Sequence, residues 1–146
     1  MNVVVEPAQN KDYPHIKQFA EQVGVTVPEQ ADENTYYLLM KSKTAIVGVV
    51  GIELCHEDAL LRTLVVDSST CKSDDLFYFL TVALGFARER QAKSVYFVTP
   101  ADPSLFEPLG FSEQSLDELP THFIGHKHFD KVKESEQNKL LMTPLH

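Results

Sequence analysis

The 146-residue chain predicts a single α/β (α+β) domain, residues 1–146, built on a mixed, mostly antiparallel sheet with helices on both faces. Three observations predict it. Apolar, β-rich runs separated by polar tips recur between Thr35 and Val66, the pattern of antiparallel hairpins. A strongly helix-periodic stretch from Leu76 to Gln91 lies between two apolar strand runs, which makes a parallel crossover unit. The length and the 43% hydrophobic content suit one packed core, and no linker or internal repeat divides the chain.

The elements follow in order. Val3 to Glu6 is a short β-branched strand, and Pro7, Asn10 and Asp12 supply a break and a helix cap. Tyr13, Ile16, Phe19, Ala20 and Val23 recur at helical spacing, with Gly24 as the stop. Val25 to Asn34 is polar and holds either a short helix or a loop. Three strands come next: Thr35 to Lys41, Ala45 to Cys55 and Ala59 to Val66, with tips at Lys41-Ser42-Lys43 and His56-Glu57-Asp58. Asp67 to Asp75 is a polar turn whose Ser73, Asp74 and Asp75 stand where capping residues belong. On the helix that follows, Leu76, Phe79, Leu80, Ala83 and Ala87 form an apolar stripe, and Arg88 and Arg90 complement the dipole at its C-terminal end. Ser94 to Thr99 is a buried strand, Pro100 to Leu109 a short helix, and Gly110-Phe111 opens another strand. Asp117 to Val132 is a helical candidate after Pro120, and Lys139 to Leu145 is a last apolar segment.

Composition narrows the function classes. The net charge is −8 with no basic stripe, which argues against nucleic acid and against anionic membranes as partners. No apolar run reaches the ~18 residues of a membrane span, and the N-terminal run has no basic flank, so it reads as a strand and not a signal peptide. Cys55 and Cys71 are expected as free thiols in a reducing, cytoplasmic setting.

The order of elements and the residues at their joints resemble the GNAT acyl-CoA N-acyltransferases. Ile46-Val47-Gly48-Val49-Val50-Gly51 looks like that family's third strand, and Leu61-Arg62-Thr63-Leu64-Val65-Val66-Asp67 like its fourth strand entering the cofactor turn. Phe86 to Thr99 looks like the end of the cofactor helix and the fifth strand, and Leu105-Phe106-Glu107-Pro108-Leu109-Gly110-Phe111 like the family's Leu-Gly-Phe joint. Asp117-Glu118-Leu119-Pro120 resembles a branch that includes arsenic-resistance-type members. The likeness spans roughly residues 3 to 120 and lies in the gapless order of pieces that are individually unspecific. It implies acetyl-CoA lying between the fourth and fifth strands, with backbone of Leu64, Val65 and Val66 on the pantetheine arm. It also implies a pyrophosphate on Cys71, Lys72, Ser73, Asp74, Asp75 and Leu76, a small-molecule amine that attacks the thioester directly, and a homodimer through the C-terminal strands.

The sequence departs from that pattern at the turn. The family's Arg or Gln, Gly, and Gly or Ala positions fall on Cys71, Asp74 and Leu76. Glycines there let the backbone approach phosphate, whereas Leu76 adds a side chain in the diphosphate's path. Asp74 and Asp75 set two carboxylates against the positive end of a helix. Each repels a phosphate by on the order of 3–4 kcal/mol at ~4–6 Å and an effective dielectric near 20, before screening. Lys72 recovers part of this. The alternative is that Ser73, Asp74 and Asp75 only cap the helix. Phe106 stands where many members have a proton-donating tyrosine, and Leu60 where some carry a glutamate.

Glu53 is the catalytic candidate that remains, set against a strand-end residue facing water. Arg62, odd in an apolar strand, reaches the sheet edge, pairs with an acid such as Glu53, or binds a substrate carboxylate. Cys71 at a helix start is a candidate reactive thiol, opposed by the adjacent acids. His122 and His126 share one helix face, with His128 nearby, as zinc ligands or as a solvated surface, and no metal is expected. The expected function is an acyl-CoA N-acyltransferase with weakened cofactor binding, against a non-catalytic protein of the same fold that binds a ligand or partner.

Overall fold

The computed structural model describes residues 3–23, 35–43, 45–99, 101–115, 118, 120 and 139–145. The strands are β1 (Val3–Pro7), β2 (Thr35–Ser42), β3 (Ala45–Cys55), β4 (Asp58–Val66), β5 (Ser94–Thr99), β6 (Ser112–Gln114) and β7 (Lys139–Pro144). Two α-helices, α1 (Tyr13–Gln22) and α2 (Ser73–Glu89), and two 3₁₀ segments, Asn10–Asp12 and Pro103–Leu109, complete the described elements. The described strands form one sheet in the order β1-β2-β3-β4-β5-β7-β6, and among them only β4 and β5 run parallel. The expected chain order, mixed sheet and crossover are all present. Gly24, the Val25–Asn34 segment, Asp117, the proposed helix to Val132, and His122, His126 and His128 lie outside the described residues.

Local chemistry explains the joints. Asp12 accepts a hydrogen bond from Gln9 N at 2.8 Å, which fixes the entry to α1. Lys43 and His56 take positive φ angles of 58° and 56° at the two hairpin tips. That places Cys55 opposite Asp58 across a two-residue turn of the kind that matches strand twist. Gly110 closes the second 3₁₀ segment at φ 94°, and a Cβ there would lie 2.7 Å from Thr143 Oγ1. Glycine is therefore required on both torsional and steric grounds.

The core has two sides. Over one face, α2 buries Phe79, Leu80, Ala83 and Ala87 against Leu38, Met40, Val50, Ile52 and Leu61. The aromatic set Phe97, Phe106 and Phe111 extends that cluster. Over the other face, α1 packs Ile16, Phe19 and Ala20 on Tyr37, Leu39, Val49 and Val65. Val23 departs from the expected stripe: it caps α1 and is exposed. The same face carries a separate small cluster of Leu60 and Leu140 with Tyr96 and Val98.

Candidate active site

Two irregularities meet in the middle of the sheet. The pairing of β4 with β5 starts at Asp58↔Ser94 and ends at Leu61↔Phe97, although both strands continue, to Val66 and Thr99. Beyond that point β5 is paired, among the described residues, with β7 alone, through Val98↔Leu140 and Thr99↔Lys139, so the sheet opens along the far half of β4. On its other edge β4 carries a bulge: Val49↔Val65 is followed by Gly51↔Arg62, so a two-residue step on β3 faces a three-residue step on β4. Bulges bend and twist a strand and re-aim its backbone. Leu64 and Val66 lie half-buried on the α2 side and Val65 is buried under α1, leaving the backbone of this stretch to line the opening.

The turn that leads from β4 to α2 is closed on itself. Asp67 Oδ1 accepts from Ser69 N at 3.0 Å and from Ser69 Oγ at 2.6 Å. Asp67 O accepts from Thr70 N and Cys71 N. Lys72 N donates to Asp75 Oδ2 at 2.9 Å, half of a capping box. Four successive N–H groups, from Ser69 to Lys72, are thus bonded within the turn. The helix begins at Ser73, three residues before the expected start, so Asp74 and Asp75 sit in its first turn and Lys72 is the cap. Leu76, the expected obstruction to a diphosphate, packs its side chain half-buried on the α2-side core. The carboxylates of Asp74 and Asp75 are what stand at the helix start.

Cys71 is turned inward too. Its thiol donates to Val47 O at 3.6 Å, and burial, with Asp75 and Asp67 nearby, pushes its pKa up. That removes the basis for a reactive thiolate, which needs a lowered pKa. Both cysteines are free, as expected. Phe106 is buried edge-on to Phe97 at 5.3 Å and beside Phe111 at 6.4 Å, so its place in the joint is taken by aromatic packing. Among the described residues no group of His, Cys, Asp and Glu is arranged to hold a metal.

Glu53 does not face water: it is 4% exposed. Arg62 Nη1 donates to Glu53 Oε1 at 3.3 Å, the pairing that the sequence offered as one of three. The two lie on the α1 face, between the α1 cluster and the Leu60 cluster. Breaking such a buried pair from one side leaves a stranded charge and costs about 3–5 kcal/mol. In the same row of the sheet stand Thr35, Leu60 and Tyr96. Sequence reading missed Tyr96. Burial, with Asp58 and Glu118, raises its phenol pKa, so it keeps its proton at neutral pH. A concavity of about 560 Å³ opens elsewhere, between α1 and the β2–β3 tip, lined by Lys11, His15, Gln18, Lys41 and Ile46 among others.

No protein-family model matches the sequence, and no curated protein matches it. Solved structures do match. A GNAT acetyltransferase from Staphylococcus aureus superposes with TM-score 0.77 at 14% identity, over 99% of this chain and 100% of its own. The protein Rv2747 from Mycobacterium tuberculosis, solved in complex with CoA, gives TM-score 0.77 at 16% identity, over 98% of this chain and 99% of its own. An N-acetylglutamate synthase from Neisseria gonorrhoeae, solved with CoA and N-acetyl-glutamate, gives TM-score 0.75 at 17% identity over 100% of this chain, which spans 36% of that synthase. At these identities the likeness is one of fold: the chain has the fold of the GNAT acetyltransferases. No helix of the described residues is long and apolar enough to cross a membrane.

Proposed function

We propose that the protein is an acyl-CoA-dependent N-acyltransferase that uses acetyl-CoA on a small-molecule amine, with a weakened hold on the cofactor's pyrophosphate. The observation that carries the reading is the opening between β4 and β5 beyond Leu61 and Phe97, set directly beside the β4 bulge. It is supported by the solved structures of the same fold that hold CoA. Backbone groups of Leu64, Val65 and Val66, released from pairing with β5, suit the amides of a pantetheine arm. Acetyl-CoA, when bound, supplies an activated acyl thioester. The fit is poorer at the turn. A helix start ordinarily offers bare N–H groups to an anion. Here four N–H groups are already bonded, and Asp74 and Asp75 oppose a diphosphate.

In this reading Glu53 is the base: its carboxylate takes a proton from the attacking amine in a buried site, close to the end of the β4–β5 pairing. Phe106 has no proton to give, so the leaving thiolate gains none from that position. The self-capped turn also favours a second reading, a protein of this fold that binds a ligand or partner without transferring an acyl group. Calorimetric titration with acetyl-CoA, together with thermal melts, separates the two. A cofactor at a hundredfold excess over its Kd adds about 2.7 kcal/mol of stability. Binding followed by thiol release across a panel of amines is the expected result. No heat and no shift in Tm at millimolar acetyl-CoA leaves the non-catalytic reading.

A further inference from the structure

We infer that the Arg62–Glu53 pair is a receptor for a zwitterion, and that the acyl acceptor is therefore an amino acid rather than a simple amine; this rests on the transferase reading. Arg62 is the first β4 residue past the last β4–β5 pair and the residue at which the bulge begins. Its stem lies across Gly51, where a Cβ would meet Arg62 Cγ and Tyr37 Cε1 at 3.0 Å each, so the glycine makes the berth that holds the guanidinium in place. One nitrogen, Nη1, reaches Glu53 at 3.3 Å, longer than the 2.7–2.9 Å usual for a charge-assisted bond. Nε is buried and has no hydrogen-bond partner among the described residues.

An unmatched donor on a buried cation is costly and calls for an acceptor. Nε lies on the guanidinium edge that pairs bidentately with carboxylates. The pair as a whole is neutral, with its positive end toward that edge and its negative end at Glu53. A neutral, dipolar ligand with a carboxylate and an ammonium on one carbon matches both ends. A lone amine matches one end and leaves Nε unmet. The chemistry balances on this arrangement. The ammonium gives one proton to Glu53, and its freed lone pair forms the C–N bond to the acyl carbon. The C–S bond then breaks, and the departing thiolate takes up the second amine proton through solvent. One proton stays on the amide nitrogen.

The test uses the full chain, acetyl-CoA and thiol-release kinetics with matched acceptors: L-alanine against ethylamine, and L-lysine against cadaverine. The amino acids are expected to show kcat/KM higher by roughly 10- to 100-fold, the worth of a charged hydrogen bond. Arg62→Gln is expected to erase that ratio by raising KM for the amino acids well beyond any change it causes for the amines. Arg62→Lys, which keeps the charge without Nε, retains only part of it. If Arg62→Gln does not fold, judged by its melt, calorimetric titration of the CoA-bound parent with L-alanine and with ethylamine reads the same preference without turnover: tighter binding of the amino acid is expected, and equal affinities overturn the inference. Equal kcat/KM for each pair, with cofactor binding and turnover intact, overturns the inference and leaves the transferase reading standing. Absence of acetyl-CoA binding by calorimetry overturns both.

Discussion

Asp67 gives its carboxylate to both the hydroxyl and the N–H of Ser69, and these bonds hold its pKa below the usual carboxylate range. A folded-state pKa depressed in this way contributes stability that is present at neutral pH and lost as pH falls through the folded value. Asp67→Asn is therefore expected to be less stable than the parent at pH 7, and the gap is expected to narrow as pH falls below the usual carboxylate range and to close only below the depressed folded value. Urea midpoints across that pH range check this. Gly51 makes the opposite demand, for space instead of charge. A methyl there meets Arg62 Cγ, Tyr37 Cε1 and the Arg62 carbonyl within 3.1 Å. Gly51→Ala should cost about 1–3 kcal/mol, the usual penalty of overpacking, again read from denaturant midpoints. Cys71 adds a kinetic expectation. With its thiol half-buried and its pKa raised, it should react with iodoacetamide at pH 7 more slowly than free cysteine. A faster rate would restore the reactive-thiol reading.

At the scale of elements, the start of α2 is where stability and cofactor binding pull in opposite directions. Asp75 stabilises the helix by accepting from Lys72 N, and the same carboxylate faces the place where a diphosphate would approach the helix dipole. Asp75→Ala is expected to lower stability by about 0.5–2 kcal/mol, as loss of a cap does. It is also expected to tighten CoA roughly tenfold, since relief of ~1.4 kcal/mol of repulsion is a factor of ten. Melting curves and calorimetry on one variant read both signs, and a loss of stability with no gain in affinity would mean that the pyrophosphate does not pass this helix. Little of this was legible in the sequence. Periodicity located each described strand and the two described α-helices to within a few residues, because apolar spacing reports directly which face of an element is buried. It placed the start of α2 at Leu76, since the capping role of Asp75 depends on a backbone bond three residues back that spacing does not carry. The burial of Glu53 was missed for a similar reason. A lone acid near a strand end reads as solvated until its cross-strand neighbour is known, and here Arg62 on β4 supplies the partner. The insertion of β7 between β5 and β6 is likewise a matter of long-range pairing.

For the whole molecule, the question is where a cofactor engages the sheet. The upper half of the parallel pair, Asp58–Leu61 with Ser94–Phe97, is closed by interstrand bonds. From Arg62 to Val66 the β4 edge that faces β5 has no strand pairing among the described residues, while its other edge remains tied to β3. Amide hydrogen exchange separates such segments, because backbone groups without ladder bonds open at low free energy and ligands that bond them add protection. Acetyl-CoA is expected to slow exchange within Arg62–Val66 and at Val98 and Thr99, and to leave Asp58–Leu61 unchanged. The first turn of α2 is expected to change little, because its neighbouring N–H groups are already engaged by Asp67 and Asp75. Protection confined to Lys11, His15, Gln18 and the Lys41–Ile46 hairpin would instead move the ligand to the concavity beside α1. That outcome would detach the fold from its cofactor and favour the non-catalytic reading, because the opened strands would then serve the architecture alone.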